Sequence, residues 1–381
     1  MKIIADENIP YAKEAFADLG EVSTLPGRQM HNSDLQKCDC LLVRSVTKVN
    51  KTLLENTPVK FVASATIGTD HIDLEYLQQH DIGFSNAPGC NAESASEYMI
   101  NALFELSQKK GFNPFELTAG IIGHGNVGSR VKKKLGALGI NTLVNDPPLQ
   151  DAGDDSANYV SLQTILHECD FITCHVPLTK DGEHPTFHLL NKSKLNELAE
   201  NTVLFNAARG PVIDNQALSE LLNQRQDLTV FLDTWEGEPV INQTLLKQVD
   251  FATPHIAGYS VEGKLRGTQM ILNAASNFFN QQGSWSINDY LPEKLNINIT
   301  HNNTTSLWPE LFKTHYSIQQ DHNRLVALVD LTCDQLAIEF DLLRKKYPAR
   351  YEYNQYQVTG ITDKKIASQI ERLLFSSVKS L

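Results

Sequence analysis

Short apolar runs alternate with stretches of helical periodicity along most of the chain. Residues 2–6 read as a strand, Glu7–Pro10 as a loop and Tyr11–Leu19 as a helix; the runs Leu41–Val43 and Phe61–Ala63 read as further strands, ending at Arg44-Ser45 and near Thr66. Apolar residues at helical spacing predict a helix over Ala92–Ser107, with Asn91 placed to cap it. A second series of strands follows at Leu117–Ile122, Asn141–Val144, Phe171–Cys174, Thr202–Phe205 and Thr229–Leu232, with helices at Val127–Leu138 and Asn215–Leu222 between them. Strands alternating with helices imply parallel α/β construction, which gathers ligand-binding side chains at strand C-terminal ends.

The stretch Val261–Phe279 reads as a long helix that could carry the chain back to the first unit. Gln281–Ser306, rich in Asn, Gln and Thr, reads as linker. Beyond it, alternating runs near Leu325–Leu331 and Tyr351–Val358 and helical runs near Leu336–Lys346 and Asp363–Ser377 predict a small α/β appendage. The expected class is therefore α/β: two doubly wound Rossmann-like domains with a cleft between them, plus a small C-terminal α/β domain. The boundaries are drawn at 1–94 with 258–284, at 95–257, and at 285–381.

Composition narrows the function. With 33 Lys and Arg against 45 Asp and Glu, the formal charge of −12 opposes a phosphate backbone, so nucleic acid is not an expected partner. A small anionic substrate would need a local cluster of Arg and backbone N–H groups. The six cysteines lack zinc spacing and read as free thiols, and no stretch approaches the roughly 20 apolar residues that span a bilayer. A soluble, cytoplasmic protein is expected.

Candidate chemistry begins where the second strand series begins. Leu117–Ile122 runs directly into Gly123-His124-Gly125-Asn126-Val127-Gly128 and a helix. Gly123 suits the tight turn, Gly125 the approach of a diphosphate, and Gly128 close packing of helix on strand. Asp146 closes the next strand, where it can accept hydrogen bonds from the adenosine ribose hydroxyls and repel a ribose phosphate, which favours NAD over NADP. Downstream, Arg209, Asp233, Glu238 and His255 lie at strand or loop ends. An Arg can grip a carboxylate, a His can take a hydroxyl proton and a neighbouring Glu can orient the ring. Taken singly, Arg209 reads equally well as a surface-loop cap, His255 as a packed-turn histidine and Glu238 as a strand end, while a solvated turn carboxylate is the lesser reading of Asp146.

The ordered motifs NAPGCNAESASEY, GIIGHGNVGSRV, CHVPLT, NAARGPVID, LDTWEGEP and PHIAG resemble the D-isomer-specific 2-hydroxyacid dehydrogenases over roughly residues 40–280. That resemblance implies catalytic roles for Arg209, Glu238 and His255. It implies NAD contacts from Gly123, Gly125, Asn126, Val127, Gly128, Asp146, His175, Asp233 and Gly258, and substrate contacts from Ser45, Thr66, Arg209 and Tyr259. Arg44, at a strand end beside Ser45, is added as a candidate phosphate ligand; an ion pair is the competing reading. The stretches VRSVTKVN, SATIGTDHID, NDPP, PHIAGYSVEGKLRGT and FDLLRKKYPARYEY narrow the likeness to members that oxidise 4-phospho-D-erythronate in pyridoxal 5'-phosphate biosynthesis. These members carry a C-terminal dimerisation domain, which implies a homodimer. The alternatives carried forward are 3-phosphoglycerate as substrate and NAD-dependent corepression without turnover. No metal is expected.

Overall fold

The computed structural model describes residues 1–300, 304–375 and 377–379. The chain divides into two units, one comprising Met1–Ala92 with Tyr259–Pro292, the other Glu93–Gly258 with Glu293–Leu381. Among the described residues, no helix is long and apolar enough to cross a membrane. The six cysteines are free, and burial pushes the thiols of Cys38, Cys169 and Cys174 up to about 12, so they stay protonated and unreactive.

The first unit is a five-stranded parallel sheet of β1 (Lys2–Asp6), β2 (Glu21–Leu25), β3 (Cys40–Val43), β4 (Phe61–Ser64) and β5 (Gly83–Ser85), in the order β2-β1-β3-β4-β5. Every residue of β3 and β4 is buried, as a sheet covered on both faces requires. The helix Val261–Phe279 belongs to this unit. Its Leu265, Ile271, Leu272 and Ala275 join one face of the sheet in a single core with Ile3, Phe16 and Phe61. The strand order reverses between β1 and β3, and Arg44 follows β3 at that switch point.

The second unit holds six parallel strands: β6 (Thr118–Ile122), β7 (Asn141–Asn145), β8 (Phe171–Cys174), β9 (Val203–Asn206), β10 (Thr229–Leu232) and β11 (Phe251–Ala252). Their order is β11-β10-β9-β8-β6-β7, so the switch point falls between β6 and β8, where Ile122 pairs with Cys174. A third parallel sheet, β12 (Leu295–Asn298), β13 (Tyr356–Thr359) and β14 (Ser377–Lys379), lies in the C-terminal segment with its own helices. Leu325, Leu328, Leu336 and Phe340 of that segment share one continuous core with Leu232, Trp235 and Leu245.

Two doubly wound sheets and a small third α/β layer are thus present. Local differences from the sequence reading have physical causes. Only Ala12–Ala15 of the expected helix at Tyr11–Leu19 is helical: Tyr11 precedes it at φ 56°, and after Ala15 the chain runs on in turns, with Ala17 and Leu19 N–H bonded to the carbonyls three residues back. The run Leu325–Leu331 is no strand: the helix Ile318–Val326 ends there, and turns follow. The expected linker Gln281–Ser306 contains β12 and the start of the helix Thr304–His315; residues 301–303 fall outside the described residues, as does Ser376 at the end of the Asp363–Ser377 run.

Candidate active site

At the end of β6 the backbone turns at Gly123 with φ 93°, and a Cβ there would lie 2.8 Å from the carbonyl carbon and oxygen of His175. No other residue fits that turn. Gly128 sits against the strand end so closely that a Cβ would come within 1.9 Å of the Gly123 carbonyl oxygen, whereas a Cβ on Gly125 would meet nothing within 4 Å. The helix Asn126–Leu138 begins immediately after Gly125. Its first N–H groups, on Asn126, Val127 and Gly128, have no carbonyl of their own helix to bond and favour an anion. This turn fits the diphosphate of a dinucleotide.

Asp146, directly after β7, holds the turn in place. One carboxylate oxygen accepts the His124 N–H at 2.7 Å; the other accepts Leu149 N–H at 3.1 Å and caps the helix Pro147–Asp151. Each oxygen keeps a further lone pair for a ribose hydroxyl. His175 follows β8 across the switch point, its backbone N–H donating to Ile122 at 2.7 Å and its ring hydrogen-bonded to Thr173 at 2.9 Å. Burial pulls the His175 ring down to about 3, so it is neutral at physiological pH. Sequence reasoning missed the group beside this turn: the His124 ring lies 3.3 Å from the Tyr159 hydroxyl, which donates to Asp154.

The candidate reacting groups come from the loops after β9, β10 and β11. Asn206 ends β9 and folds the next loop on itself, accepting Ala208 N–H and donating to the Arg209 carbonyl, each at 3.0 Å. The Arg209 guanidinium donates to the Ala208 carbonyl at 2.8 Å. Gly210 lies against the loop after β10, where a Cβ would be 1.9 Å from the Trp235 carbonyl carbon. The same two loops are laced by Asn215 N–H to Glu236 at 2.8 Å and Glu236 N–H to Asn215 at 3.1 Å. Glu236 also holds His188 at 2.7 Å.

Glu238 and His255 meet directly. One Glu238 oxygen accepts Trp235 N–H at 2.8 Å, and the other lies 2.8 Å from His255 Nδ1. Burial alone would raise the Glu238 carboxyl, but His255, Arg344 and the Trp235 N–H together hold it below the usual carboxylate range. His255 occupies the left-handed region at φ 57°. Asp233 is fully buried, and its carboxylate is directed to the His255 loop, accepting the Thr253 hydroxyl at 2.6 Å, Ile256 N–H at 2.8 Å and Ala257 N–H at 2.9 Å. Gly258 lies farther along that loop, which runs to Ser260 before the helix Val261–Phe279.

The remaining named residues lie in the first unit. Arg44 donates to the Asn8 carbonyl at 3.4 Å, and its guanidinium lies 5.7 Å from the Tyr259 ring centre. Lys264, which sequence reasoning passed over, places its ammonium 4.6 Å from the same ring. Thr66 hydrogen-bonds Ser64 at 2.7 Å, and Ser64 lies 3.1 Å from the His71 ring. Ser45 is exposed in the turn after β3.

Residues 92–257 match the model of the "D-isomer specific 2-hydroxyacid dehydrogenase, NAD binding domain". The chain is 45% identical over 360 residues to erythronate-4-phosphate dehydrogenase of Proteus mirabilis, covering 94% of each chain. It is 43% identical over 380 residues to that of Escherichia coli, covering 99% of each. Among solved structures, 3-phosphoglycerate dehydrogenase of Entamoeba histolytica with bound NAD superposes at a TM-score of 0.64 with 26% identity, covering 76% of this chain and 99% of its own. D-lactate dehydrogenase of Aquifex aeolicus superposes at 0.62 with 24% identity, covering 74% and 96%. With likeness of this degree over nearly the whole length, the chain belongs to the erythronate-4-phosphate dehydrogenases, within the D-isomer specific 2-hydroxyacid dehydrogenase family.

Proposed function

We propose that the chain oxidises 4-phospho-D-erythronate at C2 to (R)-3-hydroxy-2-oxo-4-phosphooxybutanoate, with NAD as acceptor, in the cytoplasm and as a step toward pyridoxal 5'-phosphate. The observation that carries the substrate choice is the degree and extent of identity. The Escherichia erythronate-4-phosphate dehydrogenase is 43% identical over 99% of this chain, C-terminal quarter included, whereas the Entamoeba 3-phosphoglycerate dehydrogenase is 26% identical over the part it superposes on.

Bound NAD supplies the hydride acceptor. The Gly123–Gly128 turn receives its diphosphate and Asp146 its adenosine ribose, while Asp233 holds the loop containing Gly258 against it. Arg209 grips the substrate carboxylate and the C2 oxygen, so it stabilises the alkoxide character that develops as the hydroxyl proton leaves and that the departing hydride then discharges into the carbonyl. The hydrogen bond of Nδ1 to Glu238 leaves His255 Nε2 to take the C2 hydroxyl proton, and Glu238 steadies the imidazolium that results. Ser45, Thr66 and Tyr259 bind the rest of the substrate, and Arg44 binds its phosphate. The test is turnover of purified protein with NAD and either 4-phospho-D-erythronate or 3-phosphoglycerate, with H255N and E238Q in parallel. Preference for 3-phosphoglycerate, or near-normal rates in both variants, would refute the assignment.

The protein is further proposed to be a homodimer associating through its C-terminal segment. Ile338, on the helix Cys333–Lys345, is 65% exposed, a large apolar side chain that a twofold mate would cover. I338E should lower the mass seen by light scattering across a concentration series; an unchanged dimer would remove that face from the interface.

A further inference from the structure

The loop carrying His255 is held from two sides, and one of them comes from far along the chain. A non-glycine residue stays in the left-handed region only where its surroundings over-determine it, and His255 sits there at φ 57°. On the N–H side the loop is fixed through Asp233: its carbonyl takes the His255 N–H at 2.7 Å, and its carboxylate takes the N–H groups of Ile256 and Ala257. On the carbonyl side stands Arg350. One terminal nitrogen of its guanidinium donates to the Ile256 carbonyl at 3.2 Å and to the Ala257 carbonyl at 2.5 Å. The peptide group joining Ile256 to Ala257 is therefore polarised between the buried Asp233 carboxylate on its N–H side and the buried Arg350 guanidinium on its carbonyl side, and the peptide groups before and after it are each held by one of the two.

Arg350 is only 5% exposed, and its guanidinium lies 4.7 Å from the ring centre of Tyr98 and 5.2 Å from that of Tyr316. A buried cation is costly unless paired and hydrogen-bonded, and a planar guanidinium beside aromatic faces meets that need better than an ammonium. The neighbourhood is built for this group. The same C-terminal segment places Arg344 where its charge acts on Glu238, the partner of the His255 ring.

We propose that Arg350 is a positioning residue for the reaction: by holding the Ile256 and Ala257 carbonyls opposite Asp233 it fixes the loop that presents His255 to Glu238 and to the substrate hydroxyl. The C-terminal segment is then part of the catalytic apparatus as well as of any subunit contact. This inference rests on the reading of His255 as the group that takes the hydroxyl proton.

The test compares wild type, R350K and R350A as full-length proteins, with H255N alongside. It measures kcat, KM for 4-phospho-D-erythronate, NAD affinity by nucleotide fluorescence, and thermal midpoint. A loop displaced by the order of an ångström should lower kcat roughly 10- to 100-fold in R350A. R350K should fall between it and wild type, and NAD affinity should fall by much less than kcat, because the Gly123–Gly128 turn is untouched and only the Gly258 end of the displaced loop faces the cofactor. Low millimolar guanidinium should restore part of the lost kcat in R350A and none in H255N, a response that a merely structural arginine would not give. Equal kcat in all folded variants, with only the thermal midpoint falling, overturns the proposal. So does a loss of NAD affinity in step with kcat. Should R350A not fold, wild-type kcat in R350K does the same. Full activity in H255N would instead overturn the reading of the site, whatever Arg350 does.

Discussion

Gly210→Ala isolates the contact between the two loops that carry Arg209 and Glu238. The added Cβ would lie 1.9 Å from the Trp235 carbonyl carbon, 2.0 Å from its oxygen and 2.5 Å from Glu236 N, where ordinary contact begins near 3.4 Å, so the shortfall is about 1.5 Å. All three atoms are backbone, and their loop is pinned: Trp235 N–H bonds Glu238, the Trp235 indole bonds the Thr253 carbonyl at 3.0 Å, and Glu236 N–H bonds Asn215. The strain therefore falls on residues 208–211 and moves Arg209. Overpacking of this kind costs about 1–3 kcal/mol of stability. A reacting group misplaced by about an ångström costs on the order of 100-fold in rate. The assay is kcat and KM with 4-phospho-D-erythronate, NAD affinity by fluorescence titration, and thermal midpoint. The expected result is a large fall in kcat, a lower midpoint and NAD affinity within about two-fold, since the diphosphate turn follows a different strand. A kcat within about three-fold of wild type and an unmoved midpoint would show that the loops separate without disturbing Arg209, and the reasoning from the Cβ contact would fail.

Other substitutions separate roles that share a residue. Gly125→Ala meets no atom within 4 Å, so the thermal midpoint of the free protein should hold while NAD affinity falls; loss of both would mean the turn itself is strained. Asp146→Asn should narrow the preference for NAD over NADP, measured as the ratio of catalytic efficiencies, because it removes the charge but keeps an acceptor for His124 N–H. Asp146→Ala should in addition lose about 1–2 kcal/mol of stability, since two N–H groups lose their acceptor. His322 accepts the Ala252 N–H at 3.0 Å, and burial, with Lys109, lowers its ring to about 4. Between the ordinary histidine value of about 6.5 and that lowered value, the unfolded chain binds a proton that the folded chain refuses, so stability falls as pH drops through the window. His322→Asn should flatten the slope of unfolding free energy against pH by at most roughly 1.4 kcal/mol per unit, and an unchanged slope in urea titrations would count against a buried neutral ring.

The sheets were legible where strands are buried on both faces. The run Leu41–Val43 is continuously apolar, and Phe171–Cys174 is apolar but for Thr173, because no residue in either meets water. The edge strand β2, Glu21–Leu25, has no buried residue, and β11 spans only two residues, so neither leaves an apolar run to detect. The helix Thr304–His315 was hidden by its polar start and by Pro309, although Leu307, Trp308, Leu311 and Phe312 recur at helical spacing and are buried. The turn was readable because three glycines fall within six residues, and the backbone requires two of them: Gly123 for its positive φ and Gly128 for its close approach to the Gly123 carbonyl.

What local pattern cannot carry is support that arrives from a distance. The resemblance implies an NAD contact from Asp233, and nothing near it in the sequence shows that its carboxylate oxygens also hold the loop 20 to 24 positions downstream. Arg350 reaches the same loop across 93 and 94 positions, and nothing around it in the sequence names its partners. The sequence presents the C-terminal segment as a small α/β appendage, and the resemblance gives it a role in association alone. In the fold, its Tyr353 backbone N–H donates to buried Glu97 at 3.1 Å, its Tyr353 hydroxyl to Asn101 at 2.7 Å, and its Leu325, Leu336 and Phe340 complete the core that Trp235 and Leu245 share. Removing residues beyond Pro292 would therefore expose that core and leave the Ile256 and Ala257 carbonyls without their arginine. A chain cut there should lose the cooperative unfolding of the nucleotide unit along with any subunit contact, so loss of dimer on truncation is no evidence about where the dimer forms. Ile338→Glu leaves the core intact and changes only the exposed face, and for that reason it, not truncation, tests the interface.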